Sequence, residues 1–171
     1  ESVEVLAGGG PADVVELTIL LAREMIDAAG IVGKDPADAL KDGSAMDHWR
    51  RMVAAQGGNP DAALPIAREQ HVVKAANSGI ITTMDAMKVG VSAWRLGAGR
   101  SKQGEKVQAG AGIEMHAKPG DYIEAGAPLF TLHTDEAPRF ARALEVLEGA
   151  VTIIENGVVD RLPLVLERIE G

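Results

Sequence analysis

The sequence predicts an α+β fold, in which a helical N-terminal segment is followed by a small domain of short strands and single helices. Three observations carry that expectation. Apolar residues recur at helical spacing from the start of the chain to residue 57. Beyond Pro60 and Pro65 the pattern becomes strand-like. From there, short runs rich in Val, Ile and Thr alternate with glycine-containing turns and are interrupted by two helical stretches.

In order, Glu1 to Ala7 reads as helix, with Val3 and Leu6 on one face, and Gly8-Gly-Gly-Pro breaks it. No cap precedes this helix, which predicts that Glu1 is not the natural start of the protein. Asp13 to Ala29 carries Val14, Leu17, Leu21, Met25 and Ala28 at helical spacing, and Gly30 stands where a C-terminal left-handed residue belongs. Asp35-Pro36 starts a short helix. Ser44 to Gln56 forms another, with Ser44 and Asp47 as a capping box and Met46, Trp49 and Val53 on one face. Asn59 to Arg68 has little period and reads as linker.

His71 to Ala76 and Ile80 to Thr83 are expected to pair as strands around Asn77-Ser-Gly79. Asp85 to Leu96 is helical, with Ala86, Val89, Ala93 and Leu96 in register, and Gly97-Ala-Gly-Arg ends it. Strands follow at Ala111 to His116, Tyr122 to Glu124 and Pro128 to His133, separated by turns at Lys118-Pro-Gly-Asp and Ala125-Gly126. Asp135 to Leu147 is a helix with Phe140, Leu144 and Leu147 inward. Asn156-Gly157 predicts a hairpin between Val151–Glu155 and Val158–Leu162.

Composition narrows the function classes. The net charge of -8 argues against nucleic acid as main partner, because phosphate contacts need a basic face. Cysteine is absent, which excludes thiolate chemistry in this chain and agrees with a cytoplasmic location. The longest apolar run, Leu17 to Ala22, is too short to span a bilayer, so no membrane partner is expected. With aromatics at 3%, aliphatic side chains must fill the core.

The candidate motifs are weak. Gly99 and Gly104 have the spacing of a phosphate loop, but Glu105 stands where the lysine belongs, and a helix precedes the loop. Ala86-Met87-Lys88 resembles a biotin attachment tripeptide, yet Lys88 falls in a helical pattern and reads as a solvated lysine. His48, His71, His116 and His133 do not form a ligand spacing, although His116 and His133 lie on strands that could be neighbours. Asp135 and Glu136 suit a helix N-terminus, and with Glu145 and Glu148 receive no acid–base role. Trp49 and Trp94 are expected in the core.

Two resemblances extend further. Val73-Lys-Ala-Ala-Asn-Ser-Gly-Ile-Ile and Lys118-Pro-Gly-Asp-Tyr-Ile-Glu-Ala-Gly-Ala-Pro-Leu-Phe-Thr-Leu are similar to the two halves of a biotinyl or lipoyl domain, with barrel-sandwich-like hairpins. A carrier's lysine would follow Leu132, where this chain has His133, Thr134, Asp135 and Glu136. A carrier or binding module is the alternative reading.

The stronger resemblance is to the C-terminal portion of the thymidine and pyrimidine-nucleoside phosphorylases. It is carried in family order by Glu4-Val-Leu-Ala-Gly-Gly-Gly-Pro-Ala-Asp, Ala54-Ala-Gln-Gly-Gly-Asn-Pro, Ala75-Ala-Asn-Ser-Gly-Ile-Ile, Leu96-Gly-Ala-Gly-Arg, Gly110-Ala-Gly-Ile-Glu-Met-His-Ala-Lys-Pro-Gly-Asp and Gly126-Ala-Pro-Leu-Phe-Thr-Leu-His-Thr. The resemblance implies that residues 1–57 end an α/β domain, 58–69 link, and 70–171 form the C-terminal α+β domain. It implies a parent pentosyltransferase that converts thymidine and phosphate to thymine and 2-deoxyribose 1-phosphate. Its partners would be the N-terminal helical and α/β domains, with a homodimer in the parent. The family's Ser-x-x-x-Lys pyrimidine motif is not found at Ser2, Ser44, Ser78, Ser92 or Ser101. Gly9 stands where some members carry an acid associated with a cation. No catalytic, substrate-binding, metal or cofactor residue is therefore expected in this chain, which should be inactive alone.

Overall fold

The computed structural model describes residues 1–159 and 162–169. It is α+β, and its Cα packing divides into two units, residues 1–62 with 162–171 and residues 63–161.

The first unit holds four helices: α1 (Ser2–Leu6), α2 (Ala12–Ala28), α3 (Pro36–Lys41) and α4 (Ser44–Ala55). Local chemistry explains their ends. Pro36 opens α3, where its missing N–H costs nothing, and the Asp35 carboxylate accepts from Ala37 N–H at 3.0 Å. That carboxylate also receives a forked pair of bonds from Arg23 at 3.0 and 3.1 Å. The capping box expected at Ser44 does not form. Gly43 takes the cap position, and Asp42 accepts from the Ser44 N–H at 2.9 Å. Ser44 is thus the first helical residue, and the capping carboxylate sits one residue ahead of the cap. Among described residues of this unit, Val5 is the buried hydrophobic side chain, whereas Leu21 and Met25 on α2 are 55% and 73% exposed.

The second unit holds β1 (Glu69–Lys74), β2 (Gly79–Met84), α5 (Ala86–Ala93), β3 (Gly112–Met115), β4 (Tyr122–Ile123), β5 (Pro128–Thr134), α6 (Arg139–Leu147) and β6 (Val151–Ile154). The strands form two antiparallel three-stranded sheets, ordered β1-β5-β3 and β4-β2-β6, and do not close into a barrel. Strand β5 is central: Val72 faces Thr131 on one side and Ile113 faces Leu132 on the other. Leu129, Phe130, Thr131, Leu132 and Thr134 are all buried. Ile81, Leu96, Ala143 and Leu147 complete the core, with Phe140 and Leu144 packed against it.

Three expectations for this unit need correction. Strands β1 and β2 do not pair. Ala75 N–H donates to Ala127 O and Gly126 N–H to Ala75 O, which turns the chain away from β1 and into the other sheet. The change of sheet requires Gly79, whose φ of 150° and approach to Ile154 leave a Cβ only 2.6 Å from that carbonyl. Helix α6 starts at Arg139 instead of Asp135, because Pro138 disfavours the helical conformation in the residue before it. Strand β6 pairs with β2, at Ile80↔Ile154 and Met84↔Val151, and the Asn156-Gly157 turn packs back over Thr82. Val158 and Val159 are not strand, and Asp160 and Arg161 of the expected hairpin lie outside the described residues. On α5 the fully buried side chain is Ser92, whose hydroxyl donates to Ala143 O of α6 at 3.0 Å. A small residue there lets the two helices approach.

Candidate functional site

In the second unit, α5 does not stop cleanly. It widens into a π-type turn over Trp94–Ala98, where Gly97 takes a φ of 115°. The wide turn projects Trp94 and Arg95 outward instead of continuing the inward face, so Trp94 is 43% exposed and not a core residue. Its indole N–H donates to Arg100 O at 3.0 Å. Trp49 is half-buried on α4.

Gln108 returns the following loop to the core. Its N–H donates to Gly97 O at 3.0 Å, and its side-chain oxygen accepts from Asp135 N–H at 2.7 Å. Its side-chain nitrogen donates to Glu136 at 2.7 Å. The buried Thr134 hydroxyl donates to Leu96 O at 2.7 Å beside it. The 99–107 segment is thereby tied at both ends. Inside it, Glu105 accepts from both the N–H and the hydroxyl of Ser101. These bonds, the hydroxyl first, hold the Glu105 carboxyl below the usual glutamate range. The carboxylate is thus turned onto the loop's own amide.

This loop, the π-type turn and α6 line an open cavity of about 790 Å³. Arg95, Arg139 and Arg142 line it together with Glu105, Glu136 and Glu145. Arg95 bonds to Glu145 at 2.9 Å and to Arg142 O at 2.8 Å. Arg139 Nε lies 3.2 Å from Glu136 at an angle that makes an ion pair but no hydrogen bond. Sequence reasoning missed these arginines. The signal available to it was the three-residue spacing of Arg139 and Arg142, which puts both on one face of α6.

The other singled-out residues are dispersed. Lys88 is not a free surface lysine: its ammonium donates to Glu148 O at 2.8 Å, satisfying a carbonyl just past α6. His116 bonds the Thr131 hydroxyl at 2.7 Å, and His133 sits 3.7 Å from Glu114. The β3–β5 ladder is shared as expected, but it holds these two histidines at opposite ends, with His133 facing Gly112 and His116 facing Leu129. His71 packs its ring 5.5 Å from Phe140. Asp135 accepts from Arg68 N–H at 3.1 Å, so with Glu136 it ties loops and does not start α6. Among described residues no cluster of three His, Cys, Asp or Glu could hold a metal ion. No helix of the described residues is long and apolar enough to cross a membrane.

In the first unit, two hollows of about 670 and 430 Å³ flank the Gly8–Gly10 turn. Their linings, including Val5, Val15, Ile19 and Leu40, are mainly apolar, with Glu16, Arg23 and Lys41 the charged members. Gly9 contributes no ligand side chain.

The sequence model of the pyrimidine nucleoside phosphorylase C-terminal domain matches residues 80–154. A thymidine phosphorylase of Mycobacterium tuberculosis is 52% identical over 169 residues, covering 99% of this chain and 39% of that protein. A pyrimidine-nucleoside phosphorylase of Staphylococcus epidermidis is 32% identical over 92% of this chain and 39% of its own length. An AMP phosphorylase of Pyrococcus furiosus is 30% identical over 93% of this chain and 32% of its own length. The chain thus spans about two fifths of the length of the first of these curated relatives.

Proposed function

The chain belongs to the pyrimidine-nucleoside phosphorylase family, and we propose that it is the C-terminal scaffold of an enzyme that splits thymidine with phosphate, its reacting groups residing in the rest of that enzyme. The 52% identity to a thymidine phosphorylase across nearly the whole chain carries this reading. In the proposed reaction, phosphate attacks the anomeric carbon as the pyrimidine leaves. That step needs cations and amides around the phosphate and donors for the departing base. Domains that close around both reactants would align them and exclude water. Arg95, Arg139, Glu105 and Asp135 are committed to ion pairs and loop hydrogen bonds, which supports this reading.

In this reading residues 1–57 complete an α/β domain. Leu21 and Met25 of α2 and Met52 of α4, which are exposed, would be covered by the remainder of that domain. A homodimer of the whole enzyme and a cytoplasmic location are part of the same proposal. The carrier alternative is not favoured: Thr134, in the stretch where a carrier lysine would stand, is fully buried and bonded to Leu96.

The test is thymine release from thymidine and phosphate. The 171-residue chain alone should give a rate indistinguishable from the blank, and co-expression with the upstream portion of the parent should supply activity. Robust phosphate-dependent turnover by the chain alone would overturn the proposal. Intact mass after expression should show no added biotin or lipoate.

A further inference from the structure

Residues 162–169 carry Leu162, Leu164, Val165, Leu166 and Ile169, and all five are exposed, from 42% at Leu164 to 86% at Ile169. The segment is neither helix nor strand. A run of aliphatic side chains facing water marks a surface that another body covers. We propose that residues 164–169 become a strand in the sheet of the remaining α/β domain. The inference rests on the reading of residues 1–57 as the end of such a domain, and it names the partner of a further segment.

Placement identifies the partner. The segment packs with residues 1–62, the unit assigned to the α/β domain, so residues 63–161 stand as an insertion in that unit. Arg168 pairs with Glu24 of α2 at 3.3 Å. Both groups are exposed, so the pair marks the segment's place and adds little strength. Glu24 lies between Leu21 and Met25 in sequence, and both of those stay exposed beside it. The segment and the α2 stripe therefore call for the same cover. A sheet supplies it to both, since α2 can pack on its face while the segment joins its ladder. This chain covers 39% of its M. tuberculosis relative, so the proposed parent has ample protein to build that sheet.

The sequence pattern fits the role. Leu164-Val165-Leu166 puts apolar side chains on both faces of an extended backbone, the pattern of a strand covered on both sides. Pro163 stands just ahead, where a strand tolerates proline. Leu162, Val165, Leu166 and Ile169 also have helical spacing, but that face leaves out Leu164. A helix closes its own hydrogen bonds, whereas a strand forms only against a neighbour, and this segment has not formed a helix.

Hydrogen exchange of the 171-residue chain and of the whole parent enzyme tests this. In the chain alone, the amides of 164–169 should exchange close to the unstructured rate. In the parent they should be slowed at least ~100-fold, as for a strand inside a folded domain. A crystal structure of the parent should show them hydrogen-bonded to a strand of the upstream portion. Leu166→Asp in the parent should restore rapid exchange to the segment, whereas Val158→Asp, at an exposed site of the other unit, should not. Equal exchange in chain and parent, a helix at 164–169, pairing with a second copy, or full protection in Leu166→Asp would each overturn the inference. Turnover separates it from the proposed function. An inactive parent with a protected segment refutes the phosphorylase reading alone, and an active parent with an unprotected segment refutes the strand alone.

Discussion

In residues 63–161, Leu132 has no exposed surface, whereas in residues 1–62 Leu21, on a helix of 17 residues, keeps 55% of its surface exposed. Both are leucines in regular structure with sound local chemistry. The difference lies in what surrounds them. Strand β5 has partners on both edges and helices over it, so its side chains are enclosed by segments distant in sequence. Helix α2 has an apolar stripe, yet Leu21 and Met25 stay exposed among the described residues. Helix formation is thus a local event that the first unit completes, and burial a non-local one that it leaves open. This is the state expected of a segment whose cover is supplied by more protein.

The contrast can be broken most directly by truncation. Leu132→Ala should destabilise the second unit by about 2–5 kcal/mol, while Leu21→Ala should change stability by no more than about 0.5 kcal/mol. Denaturant melts of both variants check this. A large loss at Leu21 would mean that its stripe is covered after all. A smaller effect is expected where the second unit holds its loop. Gln108→Ala leaves the Asp135 N–H and the Glu136 carboxylate without their partner, and should cost about 1–3 kcal/mol. The smallest effect is electrostatic and belongs to both units. Asp35, bonded to Arg23 and to Ala37 N–H, and Glu105, bonded to Ser101, are both held below their ordinary carboxyl range. Their contribution is complete at pH values above the unfolded carboxyl pKa and is lost as pH falls through the lowered values. The protection of the Ala37 and Ser101 amides, taken relative to the intrinsic exchange rate at each pH, should therefore be greatest at neutral pH and fall only in acid. Glu105→Gln should remove the dependence at Ser101 and leave it at Ala37.

Residues acting on their neighbours were readable in the sequence. Asp35-Pro36 starts α3, Lys118-Pro-Gly-Asp makes its turn, and Pro128 to Thr134 extends as a strand, one residue beyond the predicted run. Partners chosen over long separations were not. The β1–β5 and β2–β6 pairings displaced two plausible hairpins and give β5 and β2 a partner on both edges. Ser92 gave no apolar signal although it sits at the α5–α6 contact, and Trp94 looked like core until the π-type turn rotated it outward. The arginines of the cavity come from two helices 44 residues apart in sequence, Arg95 to Arg139, and meet only when α5 and α6 pack.

Order along the chain, helix against strand, the glycine turns and membership of a nucleoside phosphorylase family were all written in short stretches of residues, because backbone preference and motif spacing act over a few positions. Which strands pair, which helical face is enclosed and which arginines meet in a cavity depended on folding in three dimensions. Those outcomes are competitions among distant segments for the same surface, and no single stretch carries the result.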